Sequence, residues 1–344
     1  MASCWRNLAK HSHIELHVVC VDQFANDPSA PKFGDDILTG IDATICSLSD
    51  ANDPAKVIRI VNDFGPDVVA VSGWAFKGYA ALLRSRSHAD VPIILCIDNP
   101  FRGDLRQRLG YYRVRRYLNR ANLFAVPGKR GQQLMEFWNV PADRVLEGLY
   151  AYDEDVFHSC GESREKQTSW PKAFLYVGRM DHRKGIDILL KAYQQYRSSE
   201  TAPWPLICCG NGPLQSLAAN SKGVTHRDFV APQQLPSQML ESGAFILVSR
   251  YDAWGVVIAE AMASGLPVIC SDACGAADDL VDHERNGLIV PAENADALAD
   301  AMKRVTRLND EIQEWSRRSL AKAARFGSHQ WAARWSTTLV DLVK

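Results

Sequence analysis

The chain has 344 residues, of which 47% are hydrophobic and 23% charged, enough to bury a sizeable core in about two domains. Its formal net charge of -1 gives no global pull toward a polyelectrolyte, so no nucleic-acid partner is expected. The longest apolar runs fall far short of the ~18 residues of a membrane span and nothing resembles a signal peptide, so the sequence predicts a cytoplasmic protein.

Nine cysteines form an odd set without a C-x-x-C pair, and most sit in apolar strand-like runs. They read as reduced core residues of a cytosolic protein rather than as disulfides or zinc ligands.

Met1 to Lys10 has a helical pattern, with Trp5, Leu8 and Ala9 on one face, and leads into the strand Ile14 to Val21. A parallel α/β domain normally begins with a strand and a turn ahead of such a helix. Here the first strand is missing from the pattern.

Ile41 to Leu48, Val68 to Val71, Val91 to Ile97 and Leu123 to Val126 read as further strands, with a helical segment at Pro54 to Phe64. This alternation predicts a doubly wound parallel sheet, whose ligands gather at the carboxyl ends of the strands. Asp98 and Asn99 stand at such an end, where they are either a simple turn before Pro100 or part of a site.

Arg102 to Arg120 is the most basic segment, with seven arginines against the single acid Asp104. With Phe101, Leu105, Leu109, Tyr112, Tyr117 and Leu118 interleaved, it reads as an amphipathic basic helix. Contact with anionic membrane or a phosphate-bearing acceptor is one reading, and a solvated helix face is the other.

After Phe157 the chain turns polar and charged through residues 161–169, which marks the expected domain boundary. Three parts are predicted: 1–165, 166–325, and a C-terminal helix, 326–344, whose Trp331 and Trp335 dock it back toward the first domain.

The second half repeats the alternation. Phe174 to Val177, Leu206 to Cys209, Ala244 to Val248, Val268 to Cys270 and Gly287 to Val290 read as strands. Glycines Gly178, Gly210, Gly212 and Gly255 follow strand ends, where backbone N–H groups and a helix N-terminus receive phosphate. A single such glycine is more often just a turn residue, but four in one domain carry weight. Arg179 and Lys184 put two cations beside the first of these loops, suited to neutralising a diphosphate. No dense Asp or His cluster for a metal stands nearby.

From Val256 to Ala263 every residue is apolar except Glu260, a carboxylate costly to enclose unless it has a partner or a use. Asp252 precedes that helix, so the two acids can line one pocket without sharing a helical face. The N–H groups of Gly255, Val256 and Val257 are available to sugar hydroxyls or phosphate.

Gly178-Arg179 with Lys184-Gly185, the turn Gly210-Asn211-Gly212-Pro213, and the block from Asp252 through Glu260 to Val268 together resemble glycosyltransferase family 4. Gly275 and Asn286 to Val290 fit the same pattern. The resemblance is strong over about residues 170–305 and only outlines the earlier half. It implies the GT-B fold, with two Rossmann-like doubly wound domains facing a cleft, and a retaining, metal-independent hexosyl transfer. The substrates it implies are a nucleotide-diphosphate sugar, UDP- or GDP-linked, and a saccharide or lipid-linked acceptor, in cell-surface or extracellular polysaccharide synthesis; no cofactor is implied. By the same resemblance Arg179 and Lys184 stabilise the leaving diphosphate, Glu260 binds the donor ribose and Asp252 contacts the transferred sugar.

Three departures stand out. The family usually has Glu where Asp252 stands, and a His where this chain has Asp98, here assigned as its substitute. The family's first strand and glycine-rich loop do not precede Trp5, which implies an N-terminally shortened form or another group in the gap. Alternatives to an active transferase are a non-catalytic or truncated nucleotide-sugar-binding subunit and a nucleotide-sugar epimerase.

Overall fold

The computed structural model describes residues 1–22, 35–85 and 90–344. The chain divides into two compact units with parallel sheets: one takes the described residues up to Tyr150 together with Ser328–Lys344, the other Ala151–Gly327.

In the first unit α1 (Ala2–Ala9) leads to β1 (His17–Val21), which pairs in parallel with β2 (Asp42–Cys46). Reciprocal hydrogen bonds between Ser47 and Asp50 start α2 (Leu48–Ala51). The carboxylate of Asp53 caps α3 (Pro54–Phe64) by accepting from the N–H groups of Ala55 and Lys56. There follow β3 (Val69–Ser72), α4 (Lys77–Leu82), β4 (Ile93–Cys96), α5 (Leu105–Leu118), β5 (Leu123–Val126), α6 (Lys129–Phe137) and β6 (Val145–Glu147). β3, β4, β5 and β6 form one parallel sheet, while β1 and β2 form another. Among the described residues no strand joins the two, where the sequence pattern also lacks one.

The second unit contains α7 (Glu154–Phe157), α8 (Cys160–Glu165), β7 (Phe174–Val177), α9 (Ile186–Ser199), β8 (Leu206–Cys209), α10 (Gln215–Ala219) and β9 (Val224–Arg227). It continues through α11 (Leu235–Leu240), β10 (Ala244–Leu247), α12 (Val256–Ala263), β11 (Val268–Ser271), α13 (Ala277–Leu280), β12 (Gly287–Val290), α14 (Ala295–Thr306) and α15 (Glu311–Ala323). Its six strands are parallel in the order β12-β11-β10-β7-β8-β9. Every residue of β8, β10 and β11 is buried, as strands covered on both faces require.

The last helix, α16 (Ser328–Val343), belongs to the first unit and packs on α1. Asn7 Nδ2 donates to Ser328 Oγ at 3.0 Å, Trp331 Nε1 donates to the Leu149 carbonyl at 3.1 Å, and the Trp331 and Trp335 rings stack. The nine cysteines are free thiols, and no helix among the described residues is long and apolar enough to cross a membrane.

The division of the chain falls between Tyr150 and Ala151, ahead of the polar run at 161–169. That run is held inside the second unit by Arg164, only 3% exposed. Its guanidinium donates to the carbonyls of Met239 at 2.6 Å, Ser242 at 3.0 Å and Ser264 at 3.2 Å, and lies over the Trp170 ring. One side chain thereby serves the carboxyl ends of both α11 and α12. Burial lowers the pKa of this guanidinium to about 10.

Candidate active site

In the second unit the strand order reverses at β7, with β8 and β9 on one side and β10, β11 and β12 on the other. The crevice at such a reversal, beyond the carboxyl ends of β7 and β10, is where α/β sheets take ligands. The loop after β7 carries Gly178, Arg179 and Lys184, and the loop after β10 carries Asp252 and Gly255.

These two loops meet through charge. Lys184 Nζ lies 2.5 Å from Asp252 Oδ2, and Ser249 Oγ donates to the same oxygen at 3.3 Å. The Lys184 N–H donates to Asp181 Oδ1 at 2.9 Å, and Arg179 Nε lies 3.5 Å from Asp181 Oδ2. Lys184 and Asp252, which the family resemblance assigns to diphosphate and sugar respectively, thus form one ion pair at the strand ends.

Arg250, which the sequence reading passed over, fastens the arrangement. It donates to both carboxylate oxygens of Asp187 at 2.8 Å, to Glu293 Oε1 at 2.8 Å and to the His182 carbonyl at 2.6 Å. Bidentate pairing of this kind fixes orientation as well as charge, and it holds the Asp187 carboxyl below its ordinary range. The available signal was an arginine after one strand and an acid in the first helical turn after its spatial neighbour.

The glycines are required first by protein-to-protein contact. Gly210 has φ 133°, and a Cβ there would fall 2.1 Å from the Gly178 carbonyl oxygen; at Gly212 it would fall 2.5 Å from that of Met180. The loops after β7 and β8 therefore lie backbone against backbone. Gly255 is different: its surroundings leave room for a Cβ, and φ 99° sets the requirement.

Gly255 opens α12 without a side-chain cap hydrogen bond, which leaves the first N–H groups of the helix, at Val256 and Val257, uncapped by a side chain. Val256, Val257 and Glu260 share a face and are partly accessible, while Ile258, Ala259 and residues 261–263 are buried. Glu260 therefore lies on the more open side of α12. Crowding of its carboxyl away from water pushes its pKa up to about 7.

The loop bearing Asp252 is backed by the segment after β11. Ser271 Oγ donates to the Ser249 carbonyl at 2.6 Å, the Gly275 N–H donates to the Asp252 carbonyl at 3.1 Å, and Trp254 Nε1 donates to Asp279 Oδ2 at 2.8 Å. Gly275 is needed because a Cβ would fall 2.2 Å from the Ala253 carbonyl oxygen.

Asp98 belongs to the first unit, just beyond the carboxyl end of β4, where Tyr150 Oη donates to its Oδ2 at 3.2 Å. The basic segment of the same unit forms α5 as expected, but its apolar residues divide. Tyr117 and Leu118 are buried, whereas Leu105, Leu109 and Tyr112 are 74%, 66% and 64% exposed. Their spacing puts these three on one stripe, and Arg106, Arg108, Arg113, Arg115 and Arg116 on the same helix are exposed as well.

Residues 162–325 match the family model described as glycosyl transferases group 1. Relatives include an uncharacterised glycosyltransferase of Methanocaldococcus jannaschii, 28% identical over 51% of this chain and 48% of its own. Another is the O-antigen chain mannosyltransferase B of Escherichia coli, 26% identical over 56% and 54%. The chain thus spans about half the length of the curated relatives it matches. Among solved structures, HepE of Anabaena, crystallised with UDP and glucose, superposes with TM-score 0.73 at 18% identity, over 98% of this chain and 95% of that one. Sucrose-phosphate synthase of Thermosynechococcus elongatus gives TM-score 0.75 at 17% identity, over 98% and 91%. The fold is GT-B, and residues 162–325 are similar to the glycosyl transferases group 1 domain.

Proposed function

We propose that this chain is a hexosyltransferase of family 4 type, moving a sugar with retention from a UDP- or GDP-linked donor to a saccharide or lipid-linked acceptor in polysaccharide synthesis. The reading rests above all on the cations Arg179 and Lys184 and the acid Asp252, gathered at the carboxyl ends of β7 and β10. Support for the donor class comes from the likeness to HepE with UDP and glucose, and for the acceptor class from the O-antigen mannosyltransferase.

In this reading the diphosphate lies against the amino end of α12, where the N–H groups of Val256 and Val257 receive it. Negative charge grows on the diphosphate as its bond to the sugar breaks, and Arg179 and Lys184 neutralise it without a metal. Glu260 accepts hydrogen bonds from the ribose hydroxyls, and Asp252 reaches the transferred sugar. Asp98 faces the sugar or the acceptor. The exposed stripe of α5, with its arginines, rests on anionic membrane and places the enzyme at the inner face.

The test is sugar transfer from UDP- and GDP-hexoses to lipid-linked saccharide acceptors. Glu260→Ala is expected to abolish transfer and Lys184→Ala to lower it strongly; near-normal rates in both would sink the assignment. Nucleotide binding without any transfer or hydrolysis would favour a non-catalytic subunit. Interconversion of the donor without an acceptor would favour an epimerase.

A further inference from the structure

Lys184 sits inside a tight turn, residues 182–185, closed by the Gly185 N–H donating to the His182 carbonyl at 3.2 Å. The segment after β10 holds this turn along its length. The Arg250 N–H donates to the Arg183 carbonyl at 2.8 Å, and the Arg250 guanidinium donates to the His182 carbonyl at 2.6 Å. One residue thus engages both carbonyls ahead of Lys184. On the other side of the lysine, Gly185 lies so near Val248 that a Cβ would fall 2.1 Å from the Val248 carbonyl oxygen.

Two residues beyond Arg250, Asp252 takes the other end of Lys184, at Nζ. One short segment therefore grips the lysine twice, by its backbone through Arg250 and by its tip through Asp252. A ligand would act on the two grips differently. An anion drawn to Nζ competes with Asp252, whereas the carbonyls of His182 and Arg183 are acceptors only and give an anion nothing to bind. The grip of Arg250 therefore persists when the site is filled.

Arg250 is itself fixed. Asp187, in the first turn of α9, takes its fork through both carboxylate oxygens, and Glu293, beyond β12, takes its Nε. Segments following β7, β10 and β12 thus converge on one guanidinium. Partly exposed ion pairs add little stability as a rule, while planar bidentate pairing fixes direction. Alignment of the turn is what this network supplies.

We propose, on the hexosyltransferase reading above, that Arg250 is a positioning residue for transfer: through the turn 182–185 it holds Lys184 where charge develops on the leaving diphosphate. It acts through Lys184 and not by touching the donor. A cation aimed in advance stabilises that charge without reorganisation at the moment of reaction. A misplacement of about 1 Å can cost about 100-fold in rate.

The test is a double-mutant cycle in transfer from a UDP- or GDP-hexose, joined to amide exchange. Arg250→Ala is expected to lower kcat about 10- to 100-fold while KM for the donor changes less than about threefold. In a Lys184→Ala background the same change should cost less than about twofold, because the group that Arg250 aims is gone. Arg250→Lys, which keeps the charge but not the fork, should recover only part of the rate. Exchange should quicken about tenfold at Lys184 and Gly185, whose N–H groups are bonded in the parent chain, and stay unchanged in β10 and β11. Equal fold-losses in the two backgrounds, or unchanged exchange in the turn, would overturn the inference. Should Arg250→Ala fail to fold, Asp187→Asn takes its place in the cycle, with a smaller loss in the same direction expected and the same outcomes deciding. Absence of transfer in the parent chain would sink the hexosyltransferase reading instead, and exchange in the turn would then decide whether Arg250 positions Lys184.

Discussion

Lys184 Nζ and Asp252 Oδ2 lie 2.5 Å apart, and their side chains are only 16% and 10% exposed. The cation and the acid neutralise one another; in the proposed reading a diphosphate at Lys184 would compete with Asp252 for it. Lys184→Met leaves an enclosed carboxylate unpaired, at an expected cost of about 3–5 kcal/mol in urea unfolding. The double variant Lys184→Met with Asp252→Leu is expected to lose less than the sum of the single losses. In a transfer assay Lys184→Ala is expected to lower turnover about 100- to 1000-fold, the scale of a lost transition-state contact.

Glu260 sets a pH dependence. Its pKa, raised to about 7 in the folded chain, leaves much of it protonated at neutral pH, whereas ribose hydroxyls donate best to the charged form. Binding of a UDP- or GDP-sugar, whose diphosphate does not titrate here, is expected to tighten as pH rises through 7. In Glu260→Gln that rise should vanish when affinities are measured by calorimetry. Stability moves the other way. The neutral acid's contribution is fully present below about 4.5, the unfolded value, and is lost as pH rises through the folded value near 7. The Tm of the parent chain should therefore fall relative to Glu260→Gln over that window.

The loop glycines and a helix glycine should respond with opposite signs. Gly210→Ala and Gly212→Ala push a Cβ into the carbonyls of Gly178 and Met180, with an expected loss of about 1–3 kcal/mol and weaker nucleotide binding. Gly110→Ala, inside α5 with nothing within 4 Å, is expected to gain about 0.5–1 kcal/mol. Equal effects at all three positions would refute the close backbone approach of the loops.

Membrane contact through α5 is tested by sedimentation with anionic and neutral vesicles. Each exposed arginine near the surface is worth about 1 kcal/mol, so each of Arg106, Arg113 and Arg116 changed to Gln should weaken partition about fivefold. Leu105→Ser and Leu109→Ser should weaken it further without altering UDP binding. Partition indifferent to these changes or to lipid charge leaves α5 a solvated helix.

The identity of the nucleotide is read from a thermal-shift panel of UDP, GDP and ADP. At 100 times the dissociation constant the matching nucleotide should stabilise the chain by about 2.7 kcal/mol, the others by less. Equal shifts for all three would argue against a site that reads the base.

Much of the second unit was legible because most of its strands are short apolar runs, and β7 and β8 are followed directly by glycine. Phe174 to Val177, Leu206 to Cys209 and Gly287 to Val290 are strands with the expected bounds. The edge strand β9, Val-Thr-His-Arg, was not legible, since one-sided pairing allows polar residues and leaves no apolar run. Contact between Lys184 and Asp252 was equally hidden, because it depends on two loops closing over one another across 68 positions. The α5 pattern marked a basic amphipathic helix, but periodicity alone does not distinguish an apolar residue facing the core, such as Leu118, from one facing water, such as Leu105.

Arg164 bears on substitution at a site far from the chemistry. A guanidinium spreads one charge over three nitrogens, and here all three are engaged, chiefly by carbonyl dipoles at helix ends. Lysine carries the same charge on a single nitrogen and cannot reach three diverging acceptors, so an exchange that keeps net charge would still strip two helices of their common terminus. The far end of α12 is the one proposed to receive phosphate. The steadiness of that proposed site thus depends on the opposite tip of the rod, held by a residue about 100 positions earlier in the chain.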